Sequence, residues 1–434
     1  MYPDLNSRSA QLYERAKHVM PGGNSRTTID LKPHPIYVTH AEGSKVHDVD
    51  GNVYIDFINN YTSLIHGHAY PGVTEVVKEQ LSKGTAYSFG TEQEIAHAEL
   101  ICGRVPGFDK IRFMNSGSEA VMNAIKAARA FTGRPKIAKC EGAYHGSYDF
   151  AEVSLNSGPD HWGQNDPQAI PYSKGTPQGV LDDVVVIPYH DEVAAEELLK
   201  GNADDLAAVV YDPVSSRVGM IPPSDAYLEM LVDFCHTHGV LLVFDEVIAF
   251  RLGYEGAQGI RGVTPDLTAL GKIIGGGFPV GAVAGRDAAM QVFEGGGGLP
   301  HGGTFNGNPV TMLAGMATME GMTRQAFEEL NTLGDLTREG FREAFASAGV
   351  TGQVTGQGSL MRLHLTDRPL TNYRNVYPMP EEGARMTAVH RHLLNAGFYL
   401  ATYGLICLST VNTREEIEGL IAATVEGILA VEAA

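Results

Sequence analysis

Basic residues are in short supply. The chain has 32 Lys and Arg against 51 Asp and Glu, a formal charge of −19, and such an acidic balance disfavours non-specific attachment to nucleic acid. A local basic pocket for an anionic substrate stays compatible with it. Cysteine is also scarce. Cys102, Cys140, Cys235 and Cys407 are far apart and form no Cys-x-x-Cys pair. This excludes a dense disulfide frame or a zinc ribbon and suits the reduced thiols of a cytoplasmic protein. Long apolar runs are missing too. Residues 1–20 carry Asp4, Arg8, Glu14, Arg15 and Lys17, so no signal-peptide core is expected there, and no later segment reads as a membrane span. Internal repeats, low-complexity tracts and metal-ligand clusters are absent as well.

What is present is enough for a large core. The chain has 434 residues, 43% of them hydrophobic, and 51 glycines, which point to tight turns and close backbone approaches. Residues 7–20 read as an amphipathic helix stopped by Pro21-Gly22-Gly23. Asp50-Gly51 lies between two apolar-rich runs, 46–49 and 53–57, and predicts a hairpin. From about 61 to 315, candidate strands at 110–114, 136–139, 184–187, 207–211, 240–244 and 280–284 alternate with helical patterns such as 120–131 and 224–238. The alternation predicts an α/β domain around a mostly parallel sheet. Long helical patterns at 324–346 and 382–396 suggest a smaller α+β domain over 316–434, with 1–60 packing beside it. Residues 154–178 are polar and irregular, as a surface or active-site loop is.

Three pieces carry chemistry. The apolar run 240–244 ends in Asp245-Glu246-Val247. Ligands of open α/β sheets bind beyond the carboxyl ends of the strands, so Asp245 is either a ligand group or the start of a solvated acidic loop. Gly271-Lys272 opens a stretch with no charged residue from Ile273 to Gly285. Desolvation there lowers a lysine's pKa and frees its neutral amine as a nucleophile, although the glycines around it also fit ordinary turns. Asn115-Ser116-Gly117-Ser118-Glu119-Ala120 follows a strand and opens a helix. Ser116 and Glu119 fit a capping box, while the amides of Gly117 and Ser118 and the Ser118 hydroxyl suit a phosphate at the helix start. This loop is neither a Walker P-loop nor a Rossmann fingerprint. One ligand satisfies all three pieces, with a phosphate for Ser118, a ring cation for Asp245 and an aldehyde for Lys272. Pyridoxal 5'-phosphate has these groups.

With these motifs in place, nearly the whole chain resembles the class III aminotransferases. The resemblance rests on Asn115 to Ala120, Gly142-Ala143-Tyr144-His145-Gly146, Asp245-Glu246-Val247, Gly271-Lys272 and Gly303-Thr304-Phe305-Asn306-Gly307-Asn308-Pro309. It implies fold type I, the aspartate-aminotransferase-like α/β fold. It implies that Lys272 holds the cofactor and moves the proton, that Asp245 keeps the ring nitrogen protonated, and that Tyr144 and Val247 cover the two ring faces. His145 either sits near the ring or packs beside Tyr144. Thr304 is implied to reach the phosphate in a neighbouring subunit, which requires a homodimer with shared sites.

Within the family, Pro21-Gly22-Gly23-Asn24-Ser25-Arg26 resembles the opening of the glutamate-1-semialdehyde aminomutases and the β-amino-acid aminotransferases, where the matching arginine binds a substrate carboxylate through its bidentate fork. Three positions depart. Tyr61 replaces the tryptophan usual in the aminomutases. Thr402-Tyr403 lacks their acidic residue, and Tyr403 stands where β-phenylalanine aminotransferases have an arginine. Asp212-Pro213 replaces the usual Glu-Pro. The expected substrate residues are therefore Arg26, Tyr61 and Tyr403. The expected reaction transfers an amino group from a β-amino acid or related amine to a 2-oxo acid. An aminomutase and a non-catalytic cofactor-binding protein are the alternatives.

Overall fold

In the computed structural model, which describes residues 2–163 and 166–433, Asp50-Gly51 closes the expected hairpin. Gly51 takes φ 84°, which a side chain would resist. Asp48 secures the turn by accepting from the amides of Asp50 and Asn52 at 2.9 and 2.7 Å. Strands β1 (Val38–Glu42), β2 (Lys45–Asp48) and β3 (Val53–Asp56) are antiparallel. A fourth strand from the far end of the chain extends this sheet, as given below.

The central sheet is built from β4 (Lys110–Met114), β5 (Lys136–Cys140), β6 (Val184–Ile187), β7 (Leu206–Tyr211), β8 (Leu241–Asp245), β9 (Leu267–Gly271) and β10 (Gly281–Gly285). Their order is β4-β10-β9-β8-β7-β5-β6. Only β10 runs antiparallel to its neighbours, so the sheet is mostly parallel, as expected. Alternate residues face opposite sides. Leu241 and Val243 of β8 join a core with Ala120, Ala124 and Ala128 of the helix Gly117–Thr132. Leu242 and Phe244 join a second core with Leu228, Leu231 and Phe234 of the helix Asp225–His238. Apolar residues fill both faces, which explains the near-continuous runs in the sequence.

Strand β12 (Leu360–His364) pairs with β11 (Gln353–Gln357) on one side and β14 (Leu405–Cys407) on the other in a third sheet, and β13 (Phe398–Tyr399) lies parallel to β3. The helices Arg324–Ala348, Pro380–Asn395 and Arg414–Glu432 share one apolar cluster with this part of the chain. Among the described residues between 154 and 178, only a short turn of 3₁₀ helix, Pro159–His161, interrupts the irregular path; Gln164 and Asn165 lie outside the described residues.

Three details differ from expectation. Strand β9 was not foreseen, because Leu267-Thr268-Ala269-Leu270-Gly271 is short and has one β-branched residue. Asp245 is the last residue of β8, not the first beyond it, since it still pairs with Ala269. The capping box is also displaced. Ser116 Oγ accepts from the Glu119 amide at 3.1 Å, but Glu119 reaches back one residue further and accepts from the Asn115 amide at 2.7 Å.

The short helical turn Lys272–Gly275 after β9 is clamped from behind. His97 donates through Nε2 to the Ile274 carbonyl at 2.8 Å. Gly315 of the helix Pro309–Gly321 lies so close that a Cβ there would stand 2.0 Å from the Ile274 oxygen. Gly315→Ala is therefore expected to destabilise the protein by about 1–3 kcal/mol through overpacking. Calorimetry should show a lowered unfolding temperature; an unchanged one would mean that the helix and turn can separate freely.

Candidate active site

Loops following β4, β5, β7, β8 and β9 leave the same end of the central sheet, and their residues line one pocket of about 410 Å³. Asn115 to Ser118 enter from β4, Tyr144, His145 and Gly146 from β5, and Asp212 from β7. Asp245 and Val247 come with β8 and Lys272 with β9, while Arg26, Asn60 and Tyr61 close the pocket from the N-terminal part of the chain. The pocket thus gathers Lys272, Asp245, Gly117, Ser118, Tyr144, His145, Val247, Arg26 and Tyr61 from stretches far apart in sequence.

Asp245 is buried. Its Oδ2 accepts from His145 Nδ1 at 2.8 Å and its Oδ1 from the Val247 amide at 3.0 Å. Burial lowers the pKa of His145 although Asp245 pulls it upward, so a neutral ring donates through Nδ1. Its Nε2 is buried without a partner. Burial, reinforced by the charge of Asp245, raises Asp212 well above the usual carboxylate range. Asp212 accepts from the Val214 amide at 3.1 Å. Lys272 donates to the Tyr61 carbonyl. Burial lowers its ammonium to about 8, partly offset by Cys407, Asp245 and Asp212, which makes the neutral amine accessible near physiological pH.

The anion loop has the shape of a cradle. A Cβ on Gly117 would stand 2.8 Å from Val247 Cγ1, and one on Gly146 would stand 2.6 Å from Ser118 Oγ. The amides of Gly117 and Ser118 open the helix, where no carbonyl of an earlier turn exists to take them. Ser118 Oγ accepts from the Ser147 amide at 3.0 Å, fixing the hydroxyl toward the pocket rim. Tyr144 is exposed at the mouth. Main-chain donors for a phosphate, a buried carboxylate beside a neutral imidazole, and a desolvated amine make a donor set that fits pyridoxal 5'-phosphate.

Two expected residues lie elsewhere. Thr304 is exposed and does not line the Lys272 pocket of its own chain. Tyr403 lines a separate pocket of about 110 Å³ with Arg362, His364 and Arg368, its ring 5.4 Å from the Arg362 guanidinium. Through its body it shares an apolar cluster with Tyr61, Ile248 and Tyr399. Sequence reasoning passed over Asn60, which accepts from Arg26 Nη1 at 3.0 Å, and gave Asp212 no role. Asp212 carried the same signal as Asp245, a carboxylate ending an apolar strand; Asn60 carried only the tolerance of asparagine for left-handed backbone.

A second, mostly apolar pocket of about 560 Å³ adjoins the first and shares Arg26, Asn60 and Tyr61 with it. Ile29, Leu31, Ile36, Tyr37 and Val46 form much of its wall.

Comparison with known proteins agrees with this arrangement. The family model for aminotransferase class-III matches residues 28–413. A glutamate-1-semialdehyde 2,1-aminomutase of Methanothermobacter thermautotrophicus is 38% identical over 96% of this chain and 98% of its own length. The crystal structure of an omega-transaminase from Sphaerobacter thermophilus covers 99% of both chains at 49% identity with a TM-score of 0.96. A β-phenylalanine aminotransferase from Variovorax paradoxus superimposes with a TM-score of 0.89 at 33% identity, over 98% of this chain and 94% of that one. Among the described residues no helix is long and apolar enough to cross a membrane. The chain belongs to the class III aminotransferases, pyridoxal-phosphate-dependent enzymes of fold type I.

Proposed function

We propose that the enzyme moves an amino group from a β-amino acid, or a related amine bearing a carboxylate away from the α position, to a 2-oxo acid. The observation that carries this reading is the position of Arg26, at the junction of the Lys272 pocket and the apolar pocket behind it. A guanidinium there suits a carboxylate by its bidentate fork, while the adjoining apolar space suits an aryl or alkyl body. Tyr61 stands between the two spaces, its hydroxyl donating to the Thr28 carbonyl at 2.6 Å.

In this reading Lys272 carries the cofactor and then serves as the base that moves a proton. Bound pyridoxal 5'-phosphate supplies the electron sink that acidifies the carbon bearing the amine. Asp245, oriented by His145 and the Val247 amide, holds a positive charge at the ring nitrogen. Burial, with the charge of Asp245, works against a second negative charge on Asp212 beside it. Gly117 and Ser118 take the phosphate, and Tyr144 and Val247 confine the ring. Thr304, exposed on its own chain, completes the phosphate site of a partner in a homodimer; sedimentation should give a dimer, and a fully active monomer would contradict it.

The second reading is an aminomutase, favoured by the 38% identity to a glutamate-1-semialdehyde aminomutase. The two differ in one requirement. A transaminase turns over only with an added 2-oxo acid; an aminomutase needs none.

Borohydride reduction of the cofactor-loaded enzyme should leave the cofactor's mass on the peptide containing Lys272. The same mass on another lysine would remove Lys272 from its role. For Arg26→Ala, kcat/KM for carboxylate-bearing donors should fall roughly ten- to a hundredfold, the loss of a charged hydrogen-bonded contact of about 1.5–3 kcal/mol. Amines without a carboxylate should keep their donor kinetics. If Arg26 serves donor and acceptor in turn, the acceptor KM should rise even with a neutral amine. Unchanged kinetics for carboxylated substrates would leave the β-amino-acid reading without its main support.

A further inference from the structure

Residues 59–62 have a backbone of the wrong hand. Asn59, Asn60, Tyr61 and Thr62 take φ of 49°, 48°, 53° and 74° in succession. None is glycine, and in each the Cβ crowds the following carbonyl. Single left-handed residues are common in turns, but four in a row persist only where the surroundings over-determine them. The Thr62 amide donates to the Ile58 carbonyl at 2.9 Å and the Leu64 amide to the Asn59 carbonyl at 3.1 Å, closing the turn on itself.

Asp56 holds its entry. Its Oδ1 accepts from the amides of Ile58 and Asn59 at 2.8 and 2.9 Å, and its Oδ2 accepts from His68 Nε2 at 2.8 Å. The Asp56 side chain is 4% exposed. Asn59, fully buried, donates through Nδ2 to the Cys407 carbonyl at 2.8 Å, and Arg251 donates to the Thr62 carbonyl at 3.0 Å. Two consecutive residues of the turn then reach the two groups that matter most to the proposed chemistry. The Tyr61 carbonyl accepts from Lys272 Nζ, and Asn60 Oδ1 accepts from Arg26 Nη1.

We propose that the left-handed turn 59–62 sets the Lys272 amine and the Arg26 guanidinium in register, and that Asp56 is the positioning residue that holds the turn in this hand. The inference rests on the reading of Lys272 as the amine that carries the cofactor. Asp56 itself lies off the Lys272 pocket and lines the apolar pocket beyond Tyr61. Its influence on Lys272 therefore runs through the backbone of the turn. With the turn in place, Lys272 sits among Asp245, Asp212, Arg251 and Cys407 in a desolvated setting. With the turn released, the lysine gains freedom to reach solvent and regain its ordinary basicity.

The test uses Asp56→Ala, which removes the acceptor, and Asp56→Asn, which keeps an oxygen for the two amides. In cofactor-free protein, Lys272 is labelled with an acylating reagent across pH and the labelled peptide is quantified by mass spectrometry. The wild-type midpoint is expected near 8. Asp56→Ala should raise it by a unit or more, while Asp56→Asn should restore most of the difference. In the loaded enzyme, Asp56→Ala should lower kcat at least tenfold for amines with and without a carboxylate and, for carboxylated donors alone, also raise KM. Should Asp56→Ala not fold, Asn59→Ala, which cuts the tie to Cys407, must give the same upward shift. An unmoved midpoint with wild-type kcat, or a defect that Asp56→Asn shares in full, would overturn the proposal. Should Lys272→Ala retain full turnover, the reading beneath it falls as well; a dead Lys272→Ala beside an unaffected Asp56→Ala refutes this inference alone.

Discussion

Ionisable groups crowd one end of the seven-stranded sheet, and a buried charge without a partner costs several kcal/mol. That constraint fixes most of what surrounds the pocket. Asp245 draws His145 from the loop after β5. Glu246, which burial pushes up to about 7, accepts from the amides of Ala257 and Gln258 at 2.7 and 2.9 Å and so starts the helix Gly256–Arg261. Arg251, fully buried, spends its donors on the carbonyls of Thr62 and Leu408. Lys272 takes the Tyr61 carbonyl. The partners come from several stretches of chain distant in sequence, so satisfying the charges also assembles the site.

The close approaches serve the same end. Gly281 of β10 lies against the Ser116 carbonyl, which a Cβ would meet at 2.0 Å. Gly315 presses on the turn that carries Lys272. Where side chains are absent, main-chain atoms come near enough to one another, and to a ligand, to act as donors and walls. The glycine count that marked the composition is therefore partly spent around this pocket.

Much of the site was legible because it follows one rule: an apolar strand that ends in a polar residue delivers that residue to the ligand-binding edge of the sheet. Asp245 and the Asn115–Ser118 loop were found that way, and the mostly parallel sheet with them; Lys272 was marked instead by the charge-free, glycine-rich stretch that follows it. The family resemblance added Tyr144, Val247, Thr304 and Arg26, which no periodicity marks. What stayed hidden depends on pairing at long range or on backbone hand. Strand β13 has two residues and gains its identity only from β3. The sign of φ at Asn59 to Thr62 leaves no trace in hydropathy. Tyr403 was expected in the pocket from its alignment with an arginine, yet stacking over Arg362 draws its ring to another small cavity. Asp212 was noticed only as a shortened carboxylate; its burial and its proximity to Asp245, which together raise its proton affinity, are properties of the folded sheet.

The pairing of Ile55 with Phe398, and of the Asn59 side chain with the Cys407 carbonyl, has a consequence for how the molecule comes into being. During synthesis Ile55 and Asn59 emerge well before the strand and carbonyl that hold them, which follow more than three hundred residues later. The central sheet has all its strands by residue 285 and is free to condense while the N-terminal portion waits. Contacts separated by more than three hundred residues close late and slowly. The strands of the central sheet thus all precede, in sequence, the partners that hold the wall carrying Asn60 and Tyr61.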